Sequence, residues 1–250
     1  LICETYHIMK DVLGMEQGEM ADVFDVWNKG ELDSFLIEIS RDILKFKDTD
    51  GKYLLPKIRD TAGQKGTGKW TGIAALEYGV PVTLIGEAVF ARCLSALKEE
   101  RVGASKVLHG PSAKFTGDKK ALLEHLQKAL FASKLISYAQ GFMLLREAAK
   151  ANSWDLNYGS IALMWRGGCI IRSAFLANIK HAFTNNPQLT NLLLDPYFCE
   201  RISKSEQSLR EVLCAAVKVG VPIPAFSAAL AFYDGYRSGI LPANMLQAQR

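Results

Sequence analysis

Apolar residues in this chain recur at helical spacing almost from end to end, and the strict alternation that marks a half-buried strand is scarce. Glycine, proline and asparagine cut the pattern into segments. Leu1–Leu13 reads as one helix closed by Gly14. Asp22–Trp27 is amphipathic and stops at Asn28-Lys29-Gly30. Ser34–Phe46 places Phe35, Ile39, Ile43 and Phe46 on one face. Trp70–Tyr78 closes at Gly79, and Thr83–Lys98 carries the stripe Ile85, Val89, Cys93, Leu97. Asp118 is placed to cap a long helix from Lys119 to about Ala149. Its second half, around Phe142–Leu145, is apolar all round, so it is expected to be central and buried. Asn157–Asn185 follows, interrupted at Gly167-Gly168, then Glu200–Val219 with Leu209, Val212, Leu213 and Ala216 on one face, Ala225–Arg237 and Leu241–Arg250. The expected fold is an all-α, multi-helix domain.

Composition narrows the class. With 49% hydrophobic and 22% charged residues among 250, disorder, collagen and coiled coil are excluded. No apolar run reaches the ~18 residues needed to cross a bilayer, so a soluble chain without a membrane is expected. Five cysteines, odd in number and without a CxxC, point to reduced, buried thiols in a cytoplasmic compartment and to no metal site. A net charge of +4 is too diffuse to imply nucleic acid and suits an anionic small molecule. Leu1 opens in mid-helix without a cap and Met245–Arg250 stops while still helical in pattern. The chain therefore reads as a piece of a longer one, and it lacks the features of a signal peptide.

Two pairs of strings recur in the same order. Gly30–Glu38 resembles Pro187–Asp195, and Ala74–Val82 resembles Ala215–Ile223. A duplicated helical unit and a chance match of helix–Gly–Val–Pro–helix grammar both fit. Glu38 and Gly79 lie 41 positions apart, but Asp195 and Gly220 only 25. The surplus coincides with a Lys/Gly-rich loop within Lys47–Thr71, and a loop added to a repeated scaffold is where function is expected.

That loop reads Asp60-Thr61-Ala62-Gly63-Gln64-Lys65-Gly66-Thr67-Gly68-Lys69-Trp70-Thr71. Gly63-x-x-x-x-Gly68-Lys69 mimics a P-loop, but Trp70 stands where Ser or Thr must hold magnesium, and no apolar strand precedes it. Nucleotide hydrolysis is therefore not expected. Half of a dinucleotide fingerprint, Gly66-x-Gly68, fails for the same lack of a strand. The chemistry still favours an anion. Glycines free backbone N–H groups, Lys65 and Lys69 add charge, Thr67 adds a hydroxyl, and the next helix starts behind them. A solvated basic connector is the other reading. Arg92 lies about 20° from Ile85 on its helix, at the stripe's edge, where it either snorkels or is held against an anion. Arg166 and Arg172 flank Gly167-Gly168 and are expected in buried ion pairs. His7, His109, His125 and His181 show no metal spacing and no nucleophile motif. Glu99-Glu100 reads as a solvated helix end, so no general acid–base set is visible.

Several strings together resemble one family: Lys10–Met15, the Ala-Gly-Gln-Lys-Gly-Thr-Gly-Lys-Trp run ending at Trp70, Ala75–Arg92, Asn157-Tyr158-Gly159, Trp165–Arg172, Phe232–Arg237 and Gln247–Arg250. Over essentially its whole length, the chain is similar to the C-terminal helical domain of the 6-phosphogluconate dehydrogenases, cut at both ends and without their N-terminal dinucleotide-binding domain. The resemblance implies a homodimer and oxidative decarboxylation of 6-phosphogluconate to ribulose 5-phosphate with NADP. It implies that Lys65, Thr67 and Arg92 contact the substrate phosphate, and that Arg250 reaches the phosphate held by the partner subunit. The family's lysine base and glutamate acid fall upstream of Leu1, so no catalytic proton-transfer residue and no NADP-binding residue carries over. The piece alone is expected to be inactive. The competing reading is a non-catalytic helical module that pairs with intact subunits.

Overall fold

The computed structural model describes all 250 residues, and they build helices, with two isolated β-bridges but no strand. The architecture is organised by one 34-residue helix, Lys119–Asn152 (α7), about 51 Å long at 1.5 Å per residue. Asp118 caps it as its type and position demand, accepting from the N–H groups of Lys120 at 2.9 Å and Ala121 at 3.1 Å. Leu126, Leu130, Leu135 and Ile136 are fully buried along it, in one core that also holds Phe24, Phe198 and Phe226 of other helices. The remaining helices, in order, are Ile2–His7 (α1), Gln17–Trp27 (α2), Phe35–Lys45 (α3), Thr67–Glu77 (α4), Thr83–Ala96 (α5), Lys98–Ala104 (α6), Tyr158–Met164 (α8), Leu176–Asn185 (α9), Pro196–Ser203 (α10), Glu206–Lys218 (α11), Pro224–Tyr236 (α12) and Ala243–Ala248 (α13). A π-helical turn, Ile8–Val12, extends α1 to Gly14.

The repeated strings adopt a repeated shape. α4 and α11 each end at a glycine in the left-handed region, Gly79 at φ 66° and Gly220 at φ 73°. Val80 N–H then returns to Ala75 O at 2.8 Å, and Val221 N–H to Ala216 O at 3.0 Å. The helices that follow, α5 and α12, pack against each other. Both begin after an aliphatic residue, Val82 or Ile223, that offers no capping oxygen. Each borrows a cap from another helix. Buried Gln140 of α7 accepts from Leu84 N–H at 3.0 Å and donates to Thr83 Oγ1 at 2.9 Å. Glu4 of α1 accepts from the N–H groups of Ala225 and Phe226 at 2.8 and 3.0 Å. The other pair of strings agrees only at its cap: Ser34 accepts from Ile37 N–H and starts an α-helix, while Asn191 accepts from Leu193 N–H and starts a 3₁₀ turn.

Several expectations are corrected. Glu200–Val219 is two helices, because Ser203 and Ser205 turn their hydroxyls back to the carbonyls of Cys199 and Arg201 and end α10. α3 buries Ile37 and Leu44, leaving Ile43 and Phe46 exposed. On α5 the buried residue is Leu84, and Cys93, about 180° away around the helix, faces out with Leu97. Four of the five cysteines are exposed and Cys169 is half-buried, since their apolar sequence neighbours occupy other helix faces. Arg166 is exposed and makes no ion pair, whereas Arg172 meets Glu38 at 2.7 Å in a half-buried pair.

An ion-pair knot joins α11 to α12. Arg210 donates to both carboxylate oxygens of Asp234, at 2.9 and 2.5 Å, and to Glu206 at 2.8 Å; Arg237 adds a contact to Asp234 at 3.0 Å. The Arg210 guanidinium holds the Asp234 carboxyl below its ordinary range. A carboxylate whose folded pKa is depressed stabilises above its unfolded value of about 3.9 and loses that contribution as pH falls through the folded one. Asp234→Asn is therefore expected to lower stability at pH 7 by less than about 1 kcal/mol, given the partial exposure. The gap between thermal melts of the two proteins should begin to narrow as pH falls below about 4 and close at lower pH; a gap that does not narrow contradicts the assignment.

Candidate functional site

The Lys/Gly loop is drawn onto the C-terminal half of α5. Ala62 N–H donates to Ser95 Oγ at 2.9 Å, and the Arg92 guanidinium donates to the Gly63 carbonyl. Further back, the Asp60 carboxylate meets Lys98 at 2.6 Å and Arg101 at 3.3 Å. Those two cations, Lys98 first, pull the Asp60 carboxyl down to about 2. Arg101 also donates to the carbonyl of Ser95 at 2.9 Å, so one guanidinium ties the loop and the helix end together.

α4 begins at Thr67, three residues earlier than its apolar pattern suggests, with Gly66 at the cap position. The reason is packing. A Cβ on Gly68 would sit 2.8 Å from Val89 Cγ2, so glycine here permits α4 to lie close against α5. The loop glycines do not take left-handed backbone, so their expected role as a freed anion nest gives way to this contact. What remains is a helix start: the N–H groups of Thr67, Gly68 and Lys69 have no acceptor within the chain. The dipole there favours negative charge.

The structure thus brings three of the four predicted residues to one place. Lys65 precedes the N-terminus of α4, Thr67 is its first residue, and Arg92 crosses to the same loop; all three side chains are exposed. Lys69 lies in the same helical turn. Arg250 is not among them. It follows α13, a helix with no buried residue, and no side-chain hydrogen bond or ion pair ties it to the loop. Arg92 neither snorkels nor stands free; its guanidinium rests on a backbone carbonyl beside the cationic loop. Sequence reasoning missed Ser95 and the Asp60 clamp. Ser95 lies one turn beyond Arg92, on the same helix face, and that spacing was the available signal.

The neighbouring acids are committed to cations: Asp60 as described and Glu99 to Arg59 at 3.0 Å. The site can hold and orient an anion. No cluster of three or more His, Cys, Asp or Glu side chains is placed to hold a metal ion. No helix is long and apolar enough to cross a membrane. Large apolar side chains are exposed on the two helices that flank the site. Trp70 and Leu76 on α4 and Phe90 on α5 are 66%, 87% and 67% exposed, with Leu94 beside them.

Comparison with known proteins identifies the family. The family model "6-phosphogluconate dehydrogenase, C-terminal domain" matches residues 1–250. Decarboxylating 6-phosphogluconate dehydrogenases from Homo sapiens, Ovis aries and Drosophila melanogaster are 67%, 66% and 65% identical over 251 residues. In each case the match covers 100% of this chain and 52% of the relative, so the chain spans about half their length. The Plasmodium falciparum 6-phosphogluconate dehydrogenase, solved in apo form, with its cofactor NADP+ and with its substrate 6-phosphogluconate, superposes with a TM-score of 0.94 at 42% identity. That superposition covers all of this chain and 54% of the solved one.

Proposed function

The chain belongs to the 6-phosphogluconate dehydrogenase family, as its C-terminal domain, and from that premise we propose that it is the substrate-holding part of a cytoplasmic oxidoreductase. The reaction oxidises 6-phosphogluconate at C3, releases CO2 and yields ribulose 5-phosphate after tautomerisation of the enediol. NADP supplies hydride acceptance. The all-helical chain has no strand–glycine turn–helix unit to bind a dinucleotide, so no step is assigned to NADP-binding residues here.

The observation that carries this reading is the placement of Lys65, Thr67 and the α4 N-terminus at the end of the loop that Arg92 of α5 contacts. A phosphate monoester is close to a dianion at neutral pH, with acceptor oxygens for several donors. Lys65 supplies a compact charge, Thr67 a hydroxyl, and Arg92 a fork of donors. The phosphate sits at the far end of the sugar from C3, so holding it orients the reacting carbons by a remote handle. Proton transfer is assigned to no residue of this chain.

A homodimer completes the proposal. Trp70, Leu76, Phe90 and Leu94 are large apolar side chains left exposed on α4 and α5, which an interface would cover. In the dimer, Arg250 serves the phosphate held by the other copy. The same surface also suits the second reading, a non-catalytic module that only pairs with intact subunits. Assaying the full-length protein for NADPH formation from 6-phosphogluconate decides between them. Turnover is expected. An inert protein that still dimerises overturns the enzymatic reading and favours the second.

A further inference from the structure

The loop that bears Lys65 has no regular structure between Ile58 and Gly66, yet α5 holds it at defined points. Ser95 is one of these. Its Oγ accepts from Ala62 N–H at 2.9 Å, and its single proton goes to the Arg92 carbonyl at 2.7 Å or the Ala62 carbonyl at 3.2 Å. The hydroxyl's one donor is therefore spent within the chain, which leaves no proton to offer a phosphate oxygen. One turn earlier on the same face, Arg92 grips the adjacent loop residue, Gly63. These two grips differ in kind. Only one N–H contact of the Arg92 guanidinium is spent on Gly63, and the rest of its donor fork is left for an anion. Ser95 has no such second duty.

Resting on the phosphate reading above, the geometry points to Ser95 as a positioning residue: its hydroxyl fixes the register of the loop on α5, so that Lys65 and Thr67 stay opposite Arg92 when its remaining donors take up the substrate phosphate. The Asp60 carboxylate, clamped between Lys98 and Arg101, is the second anchor of the same device. Arg101 links the two anchors by donating to the Ser95 carbonyl and to Asp60. A loop free to slide by one residue would move Lys65 by more than 3 Å, beyond hydrogen-bond reach of an anion held by Arg92.

The test uses the full-length enzyme and steady-state kinetics with 6-phosphogluconate. Ser95→Ala is expected to raise KM about three- to tenfold, the worth of one hydrogen bond, while kcat falls by less than about threefold. Ser95→Thr, which keeps the hydroxyl, is expected to restore KM to within about twofold of the parent. Ser105→Ala just after α6, where the hydroxyl only returns to the Val102 carbonyl, serves as the control and leaves both constants unchanged. Asp60→Asn, which weakens the second anchor, raises KM in the same way and decides the matter if Ser95→Ala fails to fold. The proposal is overturned if Ser95→Ala and Asp60→Asn keep the parental KM while Lys65→Met loses it. It is equally overturned if Thr and Ala at position 95 are impaired alike, which marks a packing role. If Lys65→Met itself leaves KM unchanged, the phosphate reading falls instead, and the two failures are thereby separated.

Discussion

Lys65→Met in the full-length enzyme is expected to raise KM for 6-phosphogluconate by about ten- to a hundredfold, with no loss of thermal stability. The magnitude follows from what the side chain would do. A hydrogen bond between a charged donor and a phosphate oxygen is worth about 1.5–3 kcal/mol, and 1.4 kcal/mol is tenfold in binding. Stability is expected to hold because Lys65 is exposed and its amine makes no hydrogen bond or ion pair within the chain. Methionine keeps most of the stem and removes the charge, so any change in KM belongs to the ammonium. A further signature separates a phosphate handle from a general loss of activity. The phosphate's second ionisation lies near pH 6. The parent enzyme should lose affinity as pH falls through that value and the dianion becomes a monoanion, and the variant should lose less. An unchanged KM, or a parallel pH profile in both proteins, removes Lys65 from the site.

What could be read from the residues alone divides along physical lines. The helices themselves were legible, because periodic apolar residues and punctuating glycines act locally; Asp118 and α7 were placed nearly to the residue for that reason. Exposure was less legible. Cys93, Leu97, Ile43 and Phe46 sit at apolar positions of amphipathic helices and still face out. Which end of a helix reaches the core depends on its neighbours, and periodicity carries no record of them. The Lys/Gly loop stood out by composition, but its glycines misled: Gly68 serves the contact with Val89 rather than backbone freedom. The Asp60–Lys98 and Ala62–Ser95 contacts join residues more than 30 positions apart, and nothing local announces them. The borrowed caps of α5 and α12 were invisible for the same reason, although Gln140 in the middle of an apolar helix was a polar residue in need of an explanation.

Lys134 supplies the second large effect, and it was not legible at all. It sits on α7 with its amine 3.3 Å from Ser173 Oγ and 5.3 Å from the centre of the Phe175 ring. No carboxylate lies within ion-pair distance, and one hydroxyl satisfies one of its three N–H donors. Burial is the dominant influence and brings the ammonium down to about 8, with Asp33 acting weakly in the opposite sense. The sign follows from linkage. Between about 8 and 10.4 the unfolded chain binds a proton that the folded one has released, so stability rises with pH across that window. Below about 8 the folded protein carries a poorly solvated charge and bears the full penalty. Lys134→Met removes the charge and keeps the apolar stem, at the cost of leaving the buried Ser173 hydroxyl without this partner. The net expectation is a gain of about 2 kcal/mol at pH 7, visible as a rise of roughly 4–8 °C in melting temperature for a chain of this size. The advantage should shrink steadily above about pH 8 and nearly vanish by about pH 10.5. A variant that is less stable than the parent at pH 7 would mean that the ammonium has a partner worth more than its burial costs. The place to look for it is the far side of the Trp165–Phe175 segment, where Ile170 and Ile171 are exposed beside the Ser173 that Lys134 touches.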